Sequence, residues 1–154
     1  MDYIGRYGEY RVLAKLLELE VEAYLALKTN QEHYDITAIL PERRVVRIQV
    51  KSTTLGNTST NNSFGGVEKD YDYLVVVIID STPTMAVKEG SETPSEDLVT
   101  SELRPRFFVL ERAEALQIKG ESKLLGVSQQ KNKKYFVKEA ISKYEDAWLK
   151  IIAS

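Results

Sequence analysis

The chain has 154 residues, 43% hydrophobic and 29% charged, which is typical of one globular domain with its own core. It contains no cysteine, which excludes disulfides, thiolate zinc sites and cysteine nucleophiles, and its single histidine argues against a His-rich metal site or a Ser-His-Asp triad. Any metal is therefore expected to be a hard cation with oxygen ligands. The formal net charge of −2 argues against a uniformly basic nucleic-acid-binding domain.

Two features bear on location. The first ten residues, MDYIGRYGEY, lack the basic-then-apolar pattern of a signal peptide. The longest apolar run, residues 74–79, is far too short to cross a bilayer. We therefore expect a cytoplasmic protein with no membrane partner.

The first predicted element is an amphipathic helix over residues 4–20, which Asp2 can cap and which glycines at its start predict to begin near Gly8. Glu9 lies beside the apolar stripe of this helix, so its carboxylate points toward the edge of the core. It is either an ordinary helix-start carboxylate favoured by the helix dipole or an acid delivered to a site on the sheet. The stripe has three- and four-residue spacing: Val12, Leu13, Leu16 and Leu17.

The central pattern is a predicted β-hairpin, with alternating apolar and polar residues over 33–40 and 44–51 and a short Pro-led turn between them. A turn centred on Glu42 places Asp35 opposite Gln49, and Lys51 leaves by the same face two residues further on. A carboxylate, an amide and an ammonium group then converge, which suits a divalent cation beside a polarised water. The alternative is an ordinary solvated sheet face.

The residues after the hairpin form a polar segment. Ser52 and Thr53 can donate hydrogen bonds to phosphate oxygens. Residues 55–66, rich in Asn, Ser, Thr and Gly, predict a loop that is either a disordered connection or a substrate-facing flap.

The remaining elements follow from apolar periodicity. Trp148 is expected in the core or at an interface. The elements are a strand over 21–27, a buried, central and parallel strand over 71–80, a surface excursion over 82–104, a strand over 106–110, a short helix over 111–117 and a terminal helix over 138–152.

Residues 119–134 are locally basic. Lys131, Lys133 and Lys134 are candidate phosphate contacts, because lysine supplies the sequence-independent part of nucleic-acid affinity. The alternative is a solvated loop.

The order of these elements predicts an α/β fold, a mixed central sheet flanked by helices. We expect one domain over 1–154, with a core of about 5–80 and 105–154.

Three motifs together resemble the PD-(D/E)XK nuclease superfamily: Gly8-Glu9 on a helix, Asp35 on a strand and Gln49-Val50-Lys51 on the next strand. The likeness is to the Gln-x-Lys variant found in some restriction endonucleases and some group I intron homing endonucleases. It covers roughly residues 5–73. Tyr34 stands where the family usually has proline, and Gln49 replaces an acidic residue, which leaves the site one negative charge weaker.

The resemblance implies a restriction-endonuclease-like core and a Mg²⁺-dependent DNA endonuclease that hydrolyses phosphodiester bonds, with Mn²⁺ able to substitute. It implies metal ligation by Asp35, the Gln49 side-chain oxygen, the Val50 carbonyl and Glu9, the last directly or through water. Lys51 would orient or deprotonate the attacking water, or stabilise charge on the phosphate.

Double-strand cleavage would imply a homodimer or higher assembly, with Trp148 and the terminal helix as candidate interface elements. Two alternatives remain at this point. One is a catalytically inactive nuclease-fold protein that binds nucleic acid or a partner protein. The other is a plain interaction domain whose polar hairpin face has no role.

Overall fold

The computed structural model describes residues 2–26, 33–56, 62–80 and 103–154. Most of the predicted excursion over 82–104, and residues 57–61 of the predicted loop, lie outside these ranges. The elements in chain order are α1 (Tyr3–Glu18), β1 (Glu22–Leu25), β2 (Ile36–Leu40), a 3-10 turn (Pro41–Arg43), β3 (Arg44–Thr54), β4 (Ser63–Phe64), β5 (Tyr73–Asp80), β6 (Arg104–Glu111), α2 (Arg112–Lys119), β7 (Leu125–Gly126), β8 (Ser128–Lys131), β9 (Lys134–Val137), α3 (Glu139–Ser142) and α4 (Leu149–Ile152).

A five-stranded mixed sheet forms the centre of the fold, in the order β1-β2-β3-β5-β6. β3 and β5 are parallel, and the other neighbouring pairs are antiparallel. All five predicted strands lie in this sheet, so the predicted α/β class with a mixed central sheet is confirmed. Within the described ranges, no helix is long and apolar enough to cross a membrane.

The continuous apolar run of β5 is explained by burial on both of its faces. Val75 and Val77 pack with α1, whereas Leu74 and Val76 belong to a second apolar cluster on the α2 side. Both clusters are closed to solvent along β5, as expected of a central strand.

The predicted hairpin and its register are confirmed, but its first strand begins at Ile36 and not at residue 33, so Asp35 directly precedes the strand on which it was predicted to lie. Leu40 faces Arg44 and Ile36 faces Ile48, and β2 alternates between buried and half-buried residues. The turn is tight because Glu42 and Arg43 adopt left-handed backbone conformations, with φ of 66° and 59°.

The helix prediction at the N-terminus was wrong at its start. The helix begins at Tyr3, because Asp2 caps it: the Gly5 amide donates to Asp2 Oδ1 at 2.9 Å. The predicted cap residue is therefore confirmed.

The C-terminal helix prediction was also wrong, because α3 and α4 are separate short helices. The chain breaks between them where Asp146 has a φ of 52° and its amide donates to the Phe107 carbonyl at 2.8 Å. Trp148 is buried, its ring 5.5 Å from that of Phe107, so it packs in the core.

Candidate active site where β2 and β3 diverge

The candidate site lies where β2 and β3 separate. Their ladder ends at the Ile36–Ile48 pair, while β3 runs on to Thr54. Asp35 directly precedes β2, and its side chain takes the place of a backbone partner for β3: Asp35 Oδ2 accepts a hydrogen bond from the Val50 amide at 2.7 Å. Since the N–H and C=O of a strand residue point to the same edge, the Val50 carbonyl lies on the edge that faces Asp35.

Gln49 is joined to the same carboxylate and has an unsatisfied oxygen. Its Nε2 donates to Asp35 Oδ2 at 3.0 Å, and the residue is only 6% exposed. Its Oε1 is buried, and no donor within the described ranges reaches it. Reversing the amide would set its oxygen against a carboxylate, so the Asp35 contact fixes this orientation. An unpaired buried acceptor costs about 1–3 kcal/mol, and a bound cation would satisfy it.

Helix α1 delivers the third oxygen group. Gly8 is buried against β3, where an added Cβ would come within 2.9 Å of the Ser52 Cβ, so glycine permits a close helix–strand approach. The next residue, Glu9, then places its carboxyl within hydrogen-bonding reach of Asp35. Two carboxyls this close are stable only with a proton or a cation between them.

Tyr34, which stands in the proline position of the resembled family, is packed rather than exposed. It lies against the α2-side apolar cluster, and the Arg47 guanidinium sits 5.9 Å above its ring. This packing anchors the chain immediately before Asp35.

The charged groups of the site are held in unfavourable surroundings. Burial raises the pKa of Asp35, despite the Val50 amide, the Lys51 and Lys69 charges and the Glu9 hydrogen bond, which act the other way. Burial and the nearby Lys69 charge lower the pKa of Lys51, against the attraction of Asp35 and Glu68. Such opposed shifts at one point are a common mark of a functional site.

Lys69 is the site residue that the sequence reasoning missed. It lies in the turn before β5, and its charge acts on both Asp35 and Lys51. The motif of the resembled family does not include this position, and no local spacing rule links it to the hairpin. The paired glycines before it, Gly65-Gly66, were the only available signal.

The donor set fits a hard divalent cation. It comprises the Asp35 and Glu9 carboxyls, the orphaned Gln49 Oε1 and the Val50 carbonyl, all of them oxygen ligands. No group of three or more His, Cys, Asp or Glu residues suited to a metal occurs in the part of the chain that the structure describes. The fit therefore depends on the amide and the backbone carbonyl as well as on the two acids.

Ser52 and Thr53 do not occupy positions that fit the predicted phosphate contacts. The Thr53 side chain is buried, and its hydroxyl donates to Asn62 Oδ1 at 2.9 Å. The Ser52 hydroxyl is buried against Gly8 beneath α1. Successive side chains of β3 point to opposite faces of the sheet, so Ser52 lies against Gly8 and Thr53 against Asn62.

The three candidate lysines of the basic stretch lie on a second hairpin, β8–β9, which was not predicted. Lys131, Lys133 and Lys134 are exposed around its turn, where Asn132 and Lys133 have φ of 49° and 63°. Two successive left-handed residues match a type I′ hairpin turn. The hairpin lies near the end of β3: a Cβ on Gly56 would come 3.3 Å from the Tyr135 ring.

The fold is of a nuclease-like α/β class. It is similar to the solved structure of a bacterial homing endonuclease, I-Ssp6803I, with a TM-score of 0.58 and 15% sequence identity. The likeness covers 96% of this chain and 88% of that one, and at this identity it describes the fold alone. No family model matches the chain, and no curated protein matches it.

Proposed function

We propose that this protein is a Mg²⁺-dependent DNA endonuclease of the PD-(D/E)XK superfamily, in its Gln-x-Lys form, and that it hydrolyses phosphodiester bonds. The observation that carries the proposal is the buried Gln49 Oε1, which has no partner among the described residues and lies beside Asp35 at a point that Glu9 and Lys51 also approach. The fold similarity to a homing endonuclease supports it.

Each group of the site has a distinct role in this proposal. Asp35, Glu9, Gln49 Oε1 and the Val50 carbonyl hold Mg²⁺, or Mn²⁺ in its place. The bound cation supplies Lewis-acid polarisation of the phosphate and of a water. The Gln49 amide N–H and the Val50 N–H both donate to Asp35 Oδ2 and so hold the carboxylate in one orientation.

Lys51 acts on the attacking water and on the phosphate. In its protonated form it stabilises the negative charge that develops on the phosphate oxygens. Its lowered pKa also increases the fraction of neutral amine that can take a proton from water as the pH rises. Because the protein has a net charge of −2, its attraction for a DNA backbone depends mainly on local cations such as Lys51.

A metal-binding test separates this proposal from a site without function. Saturating Mg²⁺, at about 100 times its Kd, should stabilise the protein by about 2.7 kcal/mol and raise Tm by about 5–10 °C. The matched variant Gln49→Met, which keeps the side-chain length and lacks the oxygen, should lose most of this shift. Thermal unfolding with Mg²⁺, Mn²⁺ or EDTA measures both.

The same samples are then incubated with supercoiled plasmid. Nicking that requires Mg²⁺ or Mn²⁺ and stops with EDTA is expected from the wild type. A wild type with neither a metal-dependent Tm shift nor nicking would contradict the proposal.

We further propose that the β8–β9 hairpin contacts the DNA backbone. Replacing Lys131, Lys133 and Lys134 together with alanine should reduce the dependence of log affinity on log salt by about 2–3, since each lost phosphate contact contributes about 0.9. Fluorescence anisotropy over a salt series measures this slope. Lys143→Ala, which removes an exposed lysine directly after α3, should leave the slope unchanged. An unchanged slope in the triple variant would exclude the hairpin from the DNA interface.

A second candidate function is a catalytically inactive nuclease-fold module that binds nucleic acid or a protein. It is favoured by Gln49, which leaves two acidic side chains where a third would strengthen metal binding. DNA binding without nicking would select it. A single site of this kind cuts one strand, so linear products would indicate a homodimer or larger assembly.

A further inference from the structure

The turn between β4 and β5 is fixed firmly against the fold. The Lys69 amide donates to the Gly66 carbonyl at 3.3 Å. Arg112, at the start of α2, donates through Nε to the Lys69 carbonyl at 2.7 Å and through Nη2 to the Glu68 carbonyl at 2.6 Å. These three hydrogen bonds hold the backbone of the turn, so the fold fixes the position from which the Lys69 side chain extends.

Gly66 brings Lys69 and Lys51 together. A Cβ on Gly66 would lie 3.3 Å from Lys69 Cε and 3.7 Å from Lys51 Nζ, so both lysine side chains pass on one side of this glycine. Its φ of +73° is a conformation that glycine adopts freely and other residues rarely do. The two ammonium groups are therefore neighbours beside Asp35, and the charge of Lys69 acts on both.

Asp35 attracts both lysines, but it forms an ion pair with neither of them. In the described ranges, no carboxylate is within ion-pair distance of Lys51 or Lys69. Two acids flank Lys69 in the chain. Asp70 lies 3.0 Å from the Arg47 guanidinium, and Glu68 attracts Lys51 without forming an ion pair with it. Like charges held side by side repel, and an anion bound between them removes that cost. The anion that the proposed reaction brings to this point is a phosphodiester.

We propose that Lys69 is a second phosphate-binding residue of the site, whose ammonium contacts an oxygen of the cleaved strand beside the oxygen that Lys51 approaches. This inference rests on the proposed endonuclease function. Lys69 thereby positions the backbone of the strand and offsets the charge that increases on the phosphate during hydrolysis. This contribution is more important because Gln49 stands where the resembled family usually has an acidic residue, which leaves the proposed metal site with one acid fewer.

The test uses Lys69→Met, which keeps the aliphatic stem and removes the charge. With Ca²⁺ replacing Mg²⁺ in the binding assay, the slope of log affinity against log salt should fall by about 0.9, the value for one phosphate contact. With Mg²⁺, single-turnover cleavage should fall about 100-fold, as for the loss of one charge-stabilising donor. Lys69→Arg should recover most of both, and Tm should not fall, because no carboxylate in the described ranges pairs with Lys69.

Lys143→Met is the matched control, an exposed lysine beside the Tyr144 ring that should change neither the slope nor the rate. A Lys69→Met variant that binds with an unchanged slope and cuts at the wild-type rate overturns the inference and leaves the endonuclease function standing. A displaced pH–rate profile with unchanged binding also overturns it, since Lys69 would then act only by adjusting Lys51. A wild type that binds no DNA overturns both the role of Lys69 and the proposed endonuclease function.

Discussion

Asp35→Asn is expected to reduce the proposed Mg²⁺-dependent cleavage by about 1,000-fold or more, since loss of its proposed main metal ligand would remove about 4 kcal/mol of transition-state stabilisation. The fold should survive intact. Asparagine keeps an oxygen that can accept from the Val50 amide, which Asp35 accepts at 2.7 Å, and from Gln49 Nε2. Plasmid nicking and thermal unfolding of the same preparation measure the two effects separately.

The metal-free Asp35→Asn variant should be at least as stable as the wild type at neutral pH. Burial raises the pKa of Asp35 in the folded state above its ordinary value of 3.8. A raised carboxyl pKa contributes stability that is complete below pH 3.8 and is lost as the pH rises through the folded value. The Tm advantage of the variant should therefore grow from acid toward neutral pH and shrink when Mg²⁺ is added to the wild type.

Asp72→Asn is the matched control. Asp72 also accepts a β3 backbone amide, that of Arg47 at 2.8 Å, but it lies outside the site. It should retain cleavage. Loss of cleavage in both variants to the same degree would indicate damage to β3 and not loss of a metal ligand.

Lys51→Met is expected to reduce cleavage by about 100- to 1,000-fold, the usual cost of removing one group that stabilises charge in a transition state. Metal binding should persist, because Lys51 is not a ligand in the proposed site. The variant should therefore keep the Mg²⁺-dependent rise in Tm that Gln49→Met loses. Single-turnover cleavage together with thermal unfolding in Mg²⁺ distinguishes the loss of the Lys51 charge from the loss of metal binding.

Lys51→Met should also be more stable than the wild type at neutral pH. Burial and Lys69 lower the pKa of Lys51 from its ordinary value of 10.5. A lowered lysine pKa contributes stability above pH 10.5 that is lost as the pH falls through the folded value, so the charged side chain costs stability at pH 7. Lys15→Met, which removes a half-buried lysine paired with Glu18 at 3.4 Å, should cut normally. A Lys51→Met variant that also cuts normally would exclude Lys51 from the chemistry.

Stability gained by removing either charge would be consistent with a site selected for reactivity over stability. Asp35 and Lys51 carry charge in partly buried positions, and Gln49 buries an oxygen that no described residue pairs with. Each arrangement is unfavourable in the isolated fold. Each would become favourable with the cation and the phosphate of the proposed function bound.

Sequence patterns predicted the strands well and the C-terminal region poorly. The five sheet strands have clear period-two or continuous apolar patterns, which arise from local backbone geometry. Residues 138–152 have helical spacing, but the Glu145 bridge to Phe108 and the Asp146 amide bond to Phe107 divide the segment into two short helices. Those bonds come from β6, which no local pattern could supply.

The sequence alone determined that Asp35, Gln49 and Lys51 are neighbours. A three-residue turn sets the register of a hairpin, and alternation along each strand sets the face, so both facts are local. Only the tertiary structure decided that Glu9 and Lys69 join them. Glu9 arrives because Gly8 lets α1 approach β3, and Lys69 arrives because Arg112 holds its turn and Gly66 leaves room beside Lys51. Contacts between distant segments depend on how whole elements pack, and no spacing in the chain encodes that packing directly.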